Sequence, residues 1–181
     1  MNKGNAIVAT PSIIGDLYFH RSVILMVDYT KNNSMGFIIN KKLEISLNKV
    51  TNQIKRPFPL YYGGPVETDN LFFIYKSKIN ISRSLSISES LSWGGNFDEI
   101  IKLINDNEMS ENNIKFFLGY SGWSNNQLNK EMNNKNWEVI KNIDHRLIFS
   151  NDTENIWKTN LNSIGGEYLL WLNTPENPNN N

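Results

Sequence analysis

Cysteine is absent from this chain of 181 residues. The chain therefore has no disulfide, no thiolate metal site and no cysteine nucleophile. An excess of charge of one sign is also missing, because 18 basic residues balance 18 acidic ones. With a formal net charge of zero, the chain lacks the excess of positive charge by which nucleic-acid-binding proteins attract the phosphate backbone.

Long hydrophobic runs and histidines are scarce as well. The longest apolar runs have the length of strands, which excludes a membrane-spanning helix. Met1–Gly4 lacks the apolar centre of a signal peptide, so we expect a cytoplasmic protein. Only two histidines, His20 and His145, are available for proton transfer or metal binding. The length suits one domain with a sizeable core.

Short apolar segments predict a sheet. Val23–Val27 shows no alternation, which indicates a strand buried on both faces. A short Asn-rich turn joins it to Met35–Ile39, so the two segments are predicted to form a hairpin. Further strands are predicted at residues 6–9, 60–62, 71–75, 85–87, 91–93, 116–118, 137–140 and 146–149.

Helices are predicted mainly in the second half of the chain. Leu47–Ile54 has helical spacing and is ended by Pro57, while Asn96 and Asn151 have the character of helix caps. Early hairpins followed by interspersed helices favour an α+β fold in a single domain, residues 1–172. The polar segment 173–181 is predicted to be a disordered tail.

The segment Lys115–Glu131 organises the rest of the prediction. Its apolar start predicts a buried strand, and Gly119 and Gly122 predict a tight turn after it. Ser124, with Gln127 three residues later, has the spacing of a capping box and predicts the start of a helix.

This arrangement of strand, turn and helix raises the possibility of a hydrolase. A nucleophile elbow requires Gly-x-Ser-x-Gly, but Trp123 occupies the second glycine position after Ser121. His145, preceded by Asp144, follows the serine only a short way along the chain. A structural turn is therefore favoured over a nucleophile.

Several blocks in a fixed order resemble the YqgE/AlgH family of small bacterial proteins, over nearly the whole chain. They include Met35–Asn40, Tyr62–Val66 and Phe117–Trp123. The remaining blocks are Ala9–Pro11, Asp16 with Phe19, Arg21–Val23, Asp69–Phe72, Gly94–Phe97, and Gln127–Leu128 with Glu131.

The resemblance implies one compact α+β domain with a strongly bent, partly barrelled mixed sheet on which helices pack. It implies no agreed activity, although members are often labelled as transcriptional regulators. The sequence shows no helix-turn-helix pattern that would support this label. Histidine is usual in the family where Tyr29 and Tyr75 stand, and tyrosine does not titrate near neutral pH, which weighs against histidine chemistry.

The candidate binding surface combines a charge with glycine-rich loops at strand ends. Arg21 would supply a charge-assisted bond, while the glycines would allow close approach of a ligand or partner. An arginine in this position more often pairs with a nearby carboxylate, so pairing of Arg21 with Asp16, Asp28 or Asp69 is favoured over anion binding. The surface comprises Asp16, Arg21, Gly63, Gly64, Pro65, Asp69, Tyr120 and Trp123.

The sequence favours a non-enzymatic binding or regulatory protein whose partner is another protein or a small anionic ligand. The alternative is a small hydrolase or metal-assisted enzyme that uses Asp16, Asp28 or Ser121. The spacing of Asp16, Asp28, Glu67 and Asp69 is unlike that of metal ligands, so neither a metal nor a cofactor is predicted. Direct binding to nucleic acid or to a membrane is not expected.

We therefore predict that the purified protein does not bind DNA at physiological salt, because zero net charge leaves no counterion release to drive association. Electrophoretic mobility shifts at several salt concentrations would test this, with a basic DNA-binding protein as positive control. Salt-sensitive binding at submicromolar concentration would contradict the prediction.

Overall fold

The computed structural model describes residues 1–13, 15–30, 32–124 and 126–171. The predicted tail, 173–181, lies outside the described residues. The strands are β1 Ala6–Ala9, β2 Val23–Tyr29, β3 Asn33–Ile38, β4 Lys42–Ser46, β5 Pro59–Tyr62, β6 Val66–Lys76, β7 Leu85–Ser86, β8 Leu91–Trp93, β9 Ile114–Ser124 and β10 Trp137–Ile140. The helices are α1 Leu47–Val50, α2 Phe97–Asn105, α3 Gln127–Asn133, α4 His145–Ile148 and α5 Thr153–Ile164, with 3-10 turns at Pro11–Ile13 and Gly166–Trp171.

The strands form one curled, mixed sheet in the order β10-β1-β2-β3-β9-β6-β8-β7, to which β5 and β4 are attached beside β9. Strand β9 is the central element because it pairs with β3 and β6 in antiparallel fashion and with β5 in parallel. The expectation of a single α+β domain with a bent mixed sheet and packed helices is confirmed. No helix among the described residues has the length and apolar character needed to cross a membrane.

Both faces of the sheet are buried at β1, β2 and the first residues of β9, which explains why these segments lack alternation. Val23 and Leu25 face a cluster with Phe37, Phe117 and residues of α4 and α5. The alternate residues of β2, among them Ile24, face a second cluster beside α3. A third cluster, on the side of β9 that carries Phe116, is covered by α2. Helices on both sides of the sheet therefore exclude water from its centre.

The tight turn predicted between Gly119 and Gly122 is wrong, because β9 continues through both residues to Ser124. Gly119 instead allows two backbones to approach each other, because a Cβ atom there would overlap the carbonyl oxygen of Gly64. A Cβ atom on Gly63 would overlap the carbonyl oxygen of Gly119, and one on Gly64 would overlap the backbone of Tyr120. The backbone N–H of Gly63 donates to the carbonyl of Leu118 at 2.8 Å in this crossing.

The predicted strand at 146–149 is also wrong, because α4 occupies this segment. The Asp144 side chain accepts from the backbone N–H of Arg146 at 2.8 Å and so caps a helical turn. The helix predicted over 47–54 ends at Val50, since Thr51 adopts an extended backbone conformation. In the first segment the helix cap at Asp144 outweighs the apolar pattern that predicted a strand. In the second, the extended backbone at Thr51 ends the helix before the apolar pattern does.

Two helix starts are shifted from their predicted positions. Helix α3 begins at Gln127 after Asn126, which takes the left-handed conformation at φ 58°. The predicted capping box is half formed, because Gln127 Oε1 accepts from the N–H of Ser124 at 3.3 Å. Helix α5 has Asp152 as its N-cap residue, whereas the predicted cap, Asn151, accepts a hydrogen bond from elsewhere in the fold.

We predict that Gly64→Ala lowers the free energy of unfolding by about 3 kcal/mol or more, because its Cβ would force apart two buried backbones. Chemical denaturation would measure the loss. Gly94→Ala is the matched control: Gly94 also has a positive φ, of 64°, but no atom lies within 4 Å of its Cβ position. Its cost should be only that of the left-handed backbone, about 1 kcal/mol. Equal losses in the two variants would contradict the prediction.

Candidate functional site

The structure brings part of the predicted binding surface together. Gly63 and Gly64 lie against the backbone of residues 119–121, next to Tyr120. Pro65 follows this loop and is partly exposed, while Asp69 lies exposed in β6. These residues share one region of the sheet, but both glycines are buried against neighbouring protein. Their close approach is thus made to another segment of the chain.

Trp123 is a core residue, with 4% of its surface exposed. Its indole Nε1–H donates to Glu131 Oε2 at 2.9 Å, and the Nε1–H of Trp137 donates to the same oxygen at 2.8 Å. The carboxylate of Glu131 thereby joins β9, α3 and β10. Phe19 completes the group by stacking on Trp123 with ring centroids 6.2 Å apart.

Asp16 stabilises its own loop. Its Oδ1 accepts from the backbone N–H groups of Tyr18 at 2.8 Å and Phe19 at 2.7 Å. Asp28 lies exposed on β2, at a bulge opposite Met35. Among the described residues, no group of three or more His, Asp or Glu side chains is placed to hold a metal ion.

Ser121 is fully buried, and its hydroxyl donates to the carbonyl oxygen of Gly63 at 3.1 Å. A serine in this environment joins β9 to the glycine loop and is closed to a substrate. His145, the candidate base, has its Nδ1 3.3 Å from the hydroxyl of Ser90 instead. The elements of the hydrolase alternative are thus engaged in separate structural contacts.

Arg21 lines a different feature, a cleft of about 510 Å³ at the surface. Its guanidinium carbon lies 5.0 Å from the ring centroid of Trp157 in α5, the geometry of a cation–π contact. Neither the glycine loop nor Tyr120 is among the residues that form the cleft. They are His20, Arg21, Asn40, Lys41, Lys42, Thr153, Glu154, Trp157 and Lys158.

Asn40 fixes the backbone on one side of this cleft. Its side chain accepts from the N–H of Val23 at 2.7 Å and donates to the carbonyl of Arg21 at 2.8 Å. Arg21 has a φ of 52°, which is uncommon for a residue with a side chain. The two bonds from Asn40 hold this backbone conformation and present the guanidinium to α5.

The cleft concentrates positive charge in a chain that is neutral overall. Among the described residues that line it, Arg21, Lys41, Lys42 and Lys158 contribute four cations, against one carboxylate from Glu154. Trp157 provides a buried aromatic wall, anchored by its Nε1–H to the carbonyl of Ala9 at 2.7 Å, and Thr153 places the start of α5 at the rim. The N-terminus of a helix adds partial positive charge. This geometry suits an anion.

Lys115 is a further cation, buried in the interior, and its Nζ contacts backbone that precedes parts of the cleft lining. It is 3% exposed, and burial lowers its pKa from the usual 10.5 to about 7, with a smaller contribution from Lys42. Its Nζ lies 3.9 Å from the centroid of the Tyr61 ring. Burial and the carboxylate of Glu111 raise the pKa of the Tyr61 hydroxyl to about 12, so this group stays protonated.

Sequence reasoning selected Arg21 but missed Lys41, Lys42 and Lys158. The signal for two of these was the pair of adjacent lysines that follows Asn40. Lys115 was also missed, although a lysine at the start of a strand buried on both faces is unusual. Lys158 lies in an amphipathic helix and gives no signal of its own.

Tyr29 and Tyr75, which stand at the family's usual histidine positions, belong to different hydrophobic clusters. Tyr75 is fully buried among the residues beneath α2, and burial raises its pKa. The two side chains therefore do not form one common site in this chain.

The curled mixed sheet with helices on both faces, and the crossing of a glycine loop over its central strand, define an AlgH-type α+β protein. The profile of the AlgH-like family matches residues 6–169, so the chain belongs to this family. Relatives include UPF0301 proteins of Bacteroides thetaiotaomicron, 37% identical with 98% of this chain and 90% of the relative covered, and of Parabacteroides distasonis, 36% identical with 97% and 89% covered.

Solved structures agree with this assignment. The solution structure of the AlgH protein from Pseudomonas aeruginosa is similar with a TM-score of 0.75 and 25% identity, over 96% of this chain and 94% of that one. A crystal structure of a protein from Corynebacterium diphtheriae shares the fold at a TM-score of 0.74 and 20% identity, over 97% and 93% of the two chains.

We predict that Ser121→Ala folds normally and loses only about 1 kcal/mol of stability, the usual contribution of one hydrogen bond. The carbonyl of Gly63 would keep its bond from the N–H of Ile38, at 2.9 Å. Thermal unfolding would check the stability, and a fluorophosphonate probe followed by peptide mass spectrometry would check reactivity. Covalent labelling of Ser121 in the wild type would contradict the structural role.

Proposed function

We propose that this protein is a cytoplasmic, non-enzymatic binding protein that holds a small anionic ligand in the cleft between Arg21 and α5. The observation that carries the proposal is that the described residues around one concave space include four cationic side chains and one carboxylate. Positive charges held this close together repel one another, and a bound anion would reduce that repulsion. A concave site also buries more of a small ligand than a flat surface does.

The charge of the cleft indicates the class of ligand. Three positive charges remain after Glu154 is counted against the four cations. A small molecule with two or three negative charges would neutralise them, such as a phosphate ester or a di- or tricarboxylate. The cleft volume, about 510 Å³, suits a metabolite of this kind.

The contacts of Arg21 support a direct role in recognition. A guanidinium that packs on Trp157 is held in one plane, which favours two-pronged hydrogen bonding to a phosphate or carboxylate. Arg21 and Lys41 are half-buried, whereas Lys42 and Lys158 are exposed at the rim. The inner charges would therefore contribute most to affinity, and the rim charges mainly to attraction from a distance.

The regulator label of the family would, in this proposal, reflect ligand binding rather than direct contact with DNA. The enzymatic alternative receives little support from the site. Ser121 donates to a backbone carbonyl inside the core, and Asp16 accepts two backbone N–H groups. Ser121 and Asp16 thus have a structural use, whereas the described lining of the cleft brings cationic side chains together.

We predict that Arg21→Ala weakens the binding of inorganic phosphate or citrate at least tenfold, since a charge-assisted hydrogen bond contributes about 1.5–3 kcal/mol. Isothermal titration calorimetry at low and high salt would measure the loss. Rising salt should weaken binding by the wild type.

Arg83→Ala is the matched control for this substitution. Arg83 is exposed, lies outside the cleft and shares the left-handed backbone, with a φ of 62° against 52° for Arg21. Both changes place alanine in the same strained backbone region, so only the cleft distinguishes them. Equal anion affinity in the wild type and both variants, or no binding by the wild type, would overturn the proposed function.

A further inference from the structure

Lys115 is a buried cation whose three hydrogen bonds reach two separate segments of the chain. Its Nζ donates to the carbonyl oxygens of Ile39 at 2.8 Å, Ile148 at 2.9 Å and Ser150 at 3.1 Å. The first carbonyl lies just after β3, and the other two lie at the end of α4 and in the connection to α5. One ammonium group therefore provides a hydrogen-bond donor for three backbone carbonyls. These carbonyls belong to segments that do not pair with β9 at these positions.

These carbonyls lie at the bases of the two walls of the cationic cleft. Ile39 directly precedes the wall formed by Asn40, Lys41 and Lys42. Ser150 precedes the start of α5, which forms the opposite wall from Thr153 onward. Lys115, which is itself buried, thus contacts backbone that precedes both walls.

We propose that Lys115 is the positioning residue that ties the two walls of the cleft together, so that its protonated form sets the cleft in its anion-binding geometry. The part that concerns affinity rests on the proposed function. The part that concerns the two walls depends only on the hydrogen bonds of Lys115.

A second set of contacts supports the same connection. The Tyr61 hydroxyl donates to Asn151 Oδ1 at 2.9 Å, and Asn151 Nδ2 donates to Glu111 at 3.3 Å. Tyr61 also places its ring face 3.9 Å from the Lys115 ammonium. The α4–α5 connection is therefore held at residues 148, 150 and 151 by groups from the central sheet.

The charges around Lys115 make this tie sensitive to pH. Lys42 opposes the ammonium from β4, the ring of Tyr61 lies against it, and Glu111 lines the same small cavity. Lys76 of β6 lies farther out, over the ring of Phe149, with its Nζ 5.2 Å from the ring centroid. Burial lowers the pKa of Lys115 to about 7, so the ammonium and the neutral amine exchange near neutral pH.

Lys42 links this equilibrium to the cleft. It lines the cleft, and its charge is one of the causes that lower the pKa of Lys115. An anion bound beside Lys42 would offset that repulsion and raise the pKa of Lys115. By linkage, anion binding takes up a proton, and affinity falls as the pH rises through about 7. A neutral amine also donates two hydrogen bonds rather than three.

The stability of the unliganded protein should change in the opposite direction. The pKa of Lys115 is lower in the folded chain than the ordinary value of 10.5 that applies to the unfolded chain. Its charge therefore destabilises the fold at any pH at which the lysine is protonated in both states. Stability should therefore rise with pH from about 7 toward 10.5, while anion affinity declines. A residue that only supports the core would change stability without this opposite trend in affinity.

The test uses sulfate, which remains a dianion throughout, titrated calorimetrically into the wild type at about pH 6 and about pH 8.5. We expect affinity about tenfold higher at the lower pH. Lys115→Met should bind at least about tenfold more weakly at the lower pH and lose most of the pH dependence. Lys115→Arg keeps a permanent charge and should bind without the decline near pH 7.

Two further variants separate this tie from other causes. Tyr61→Phe removes a hydrogen bond from the same connection but leaves the ammonium, and should keep the pH dependence. Histidine is the residue type that ordinarily changes charge near neutral pH. Because His20 lines the cleft, His20→Asn is needed as a control. A pH dependence lost in His20→Asn but kept in Lys115→Met would overturn the proposal, as would unchanged sulfate affinity in Lys115→Met.

A pH titration of the protein without ligand tests the role of Lys115 separately from the proposed anion-binding function. Backbone amide NMR signals of residues 40–42 and 153–158 should titrate with one shared midpoint near pH 7 in the wild type, and not in Lys115→Arg or Lys115→Met. If the wild type shows this midpoint but binds no sulfate, the anion-binding function fails and the tie stands. If the two walls titrate independently, the tie fails even where anions bind.

Discussion

The close crossing of two backbones, where the Gly63–Gly64 loop lies against residues 119–121, is the constraint on which the architecture depends. It allows β9 to pair with β5 and β6 along its first half and with β3 along its second. A side chain at either glycine would separate these segments. The hydroxyl of Ser121 and the N–H of Ile38 both bond to the carbonyl of Gly63, which adds polar support to the same junction.

The junction also determines where the cationic side chains come together. With β9 fixed beside β3 and β5, Lys115 at its start reaches the carbonyls that follow β3 and α4. The residues after those carbonyls then face each other across the cleft. A chain with 18 positive and 18 negative residues thereby gains a strongly positive pocket while its overall field stays weak. Neutral composition argues against nucleic acid but leaves room for a local anion site.

The fold was largely predictable because its strands carry local signals. Val23–Val27 and Phe116–Leu118 lack alternation, and both are buried on two faces as this pattern indicates. The errors fell where local and tertiary information disagree. The turn propensity of glycine predicted a turn at Gly119. Its actual role depends on Gly63, which lies 56 residues earlier in the chain and packs against it. The site was less predictable, since Arg21, Lys42 and Lys158 meet only through the packing of α5 on the sheet.

The most direct test of the anion-binding account is to map the amide NMR signals of the wild type during a titration with inorganic phosphate. The account predicts saturable shifts at residues 20–21, 40–42 and 153–158, around the lining of the cationic cleft. Shifts confined to a second cleft, lined by Tyr29, Ser34 and Trp123, or no saturable shift at all, would contradict it.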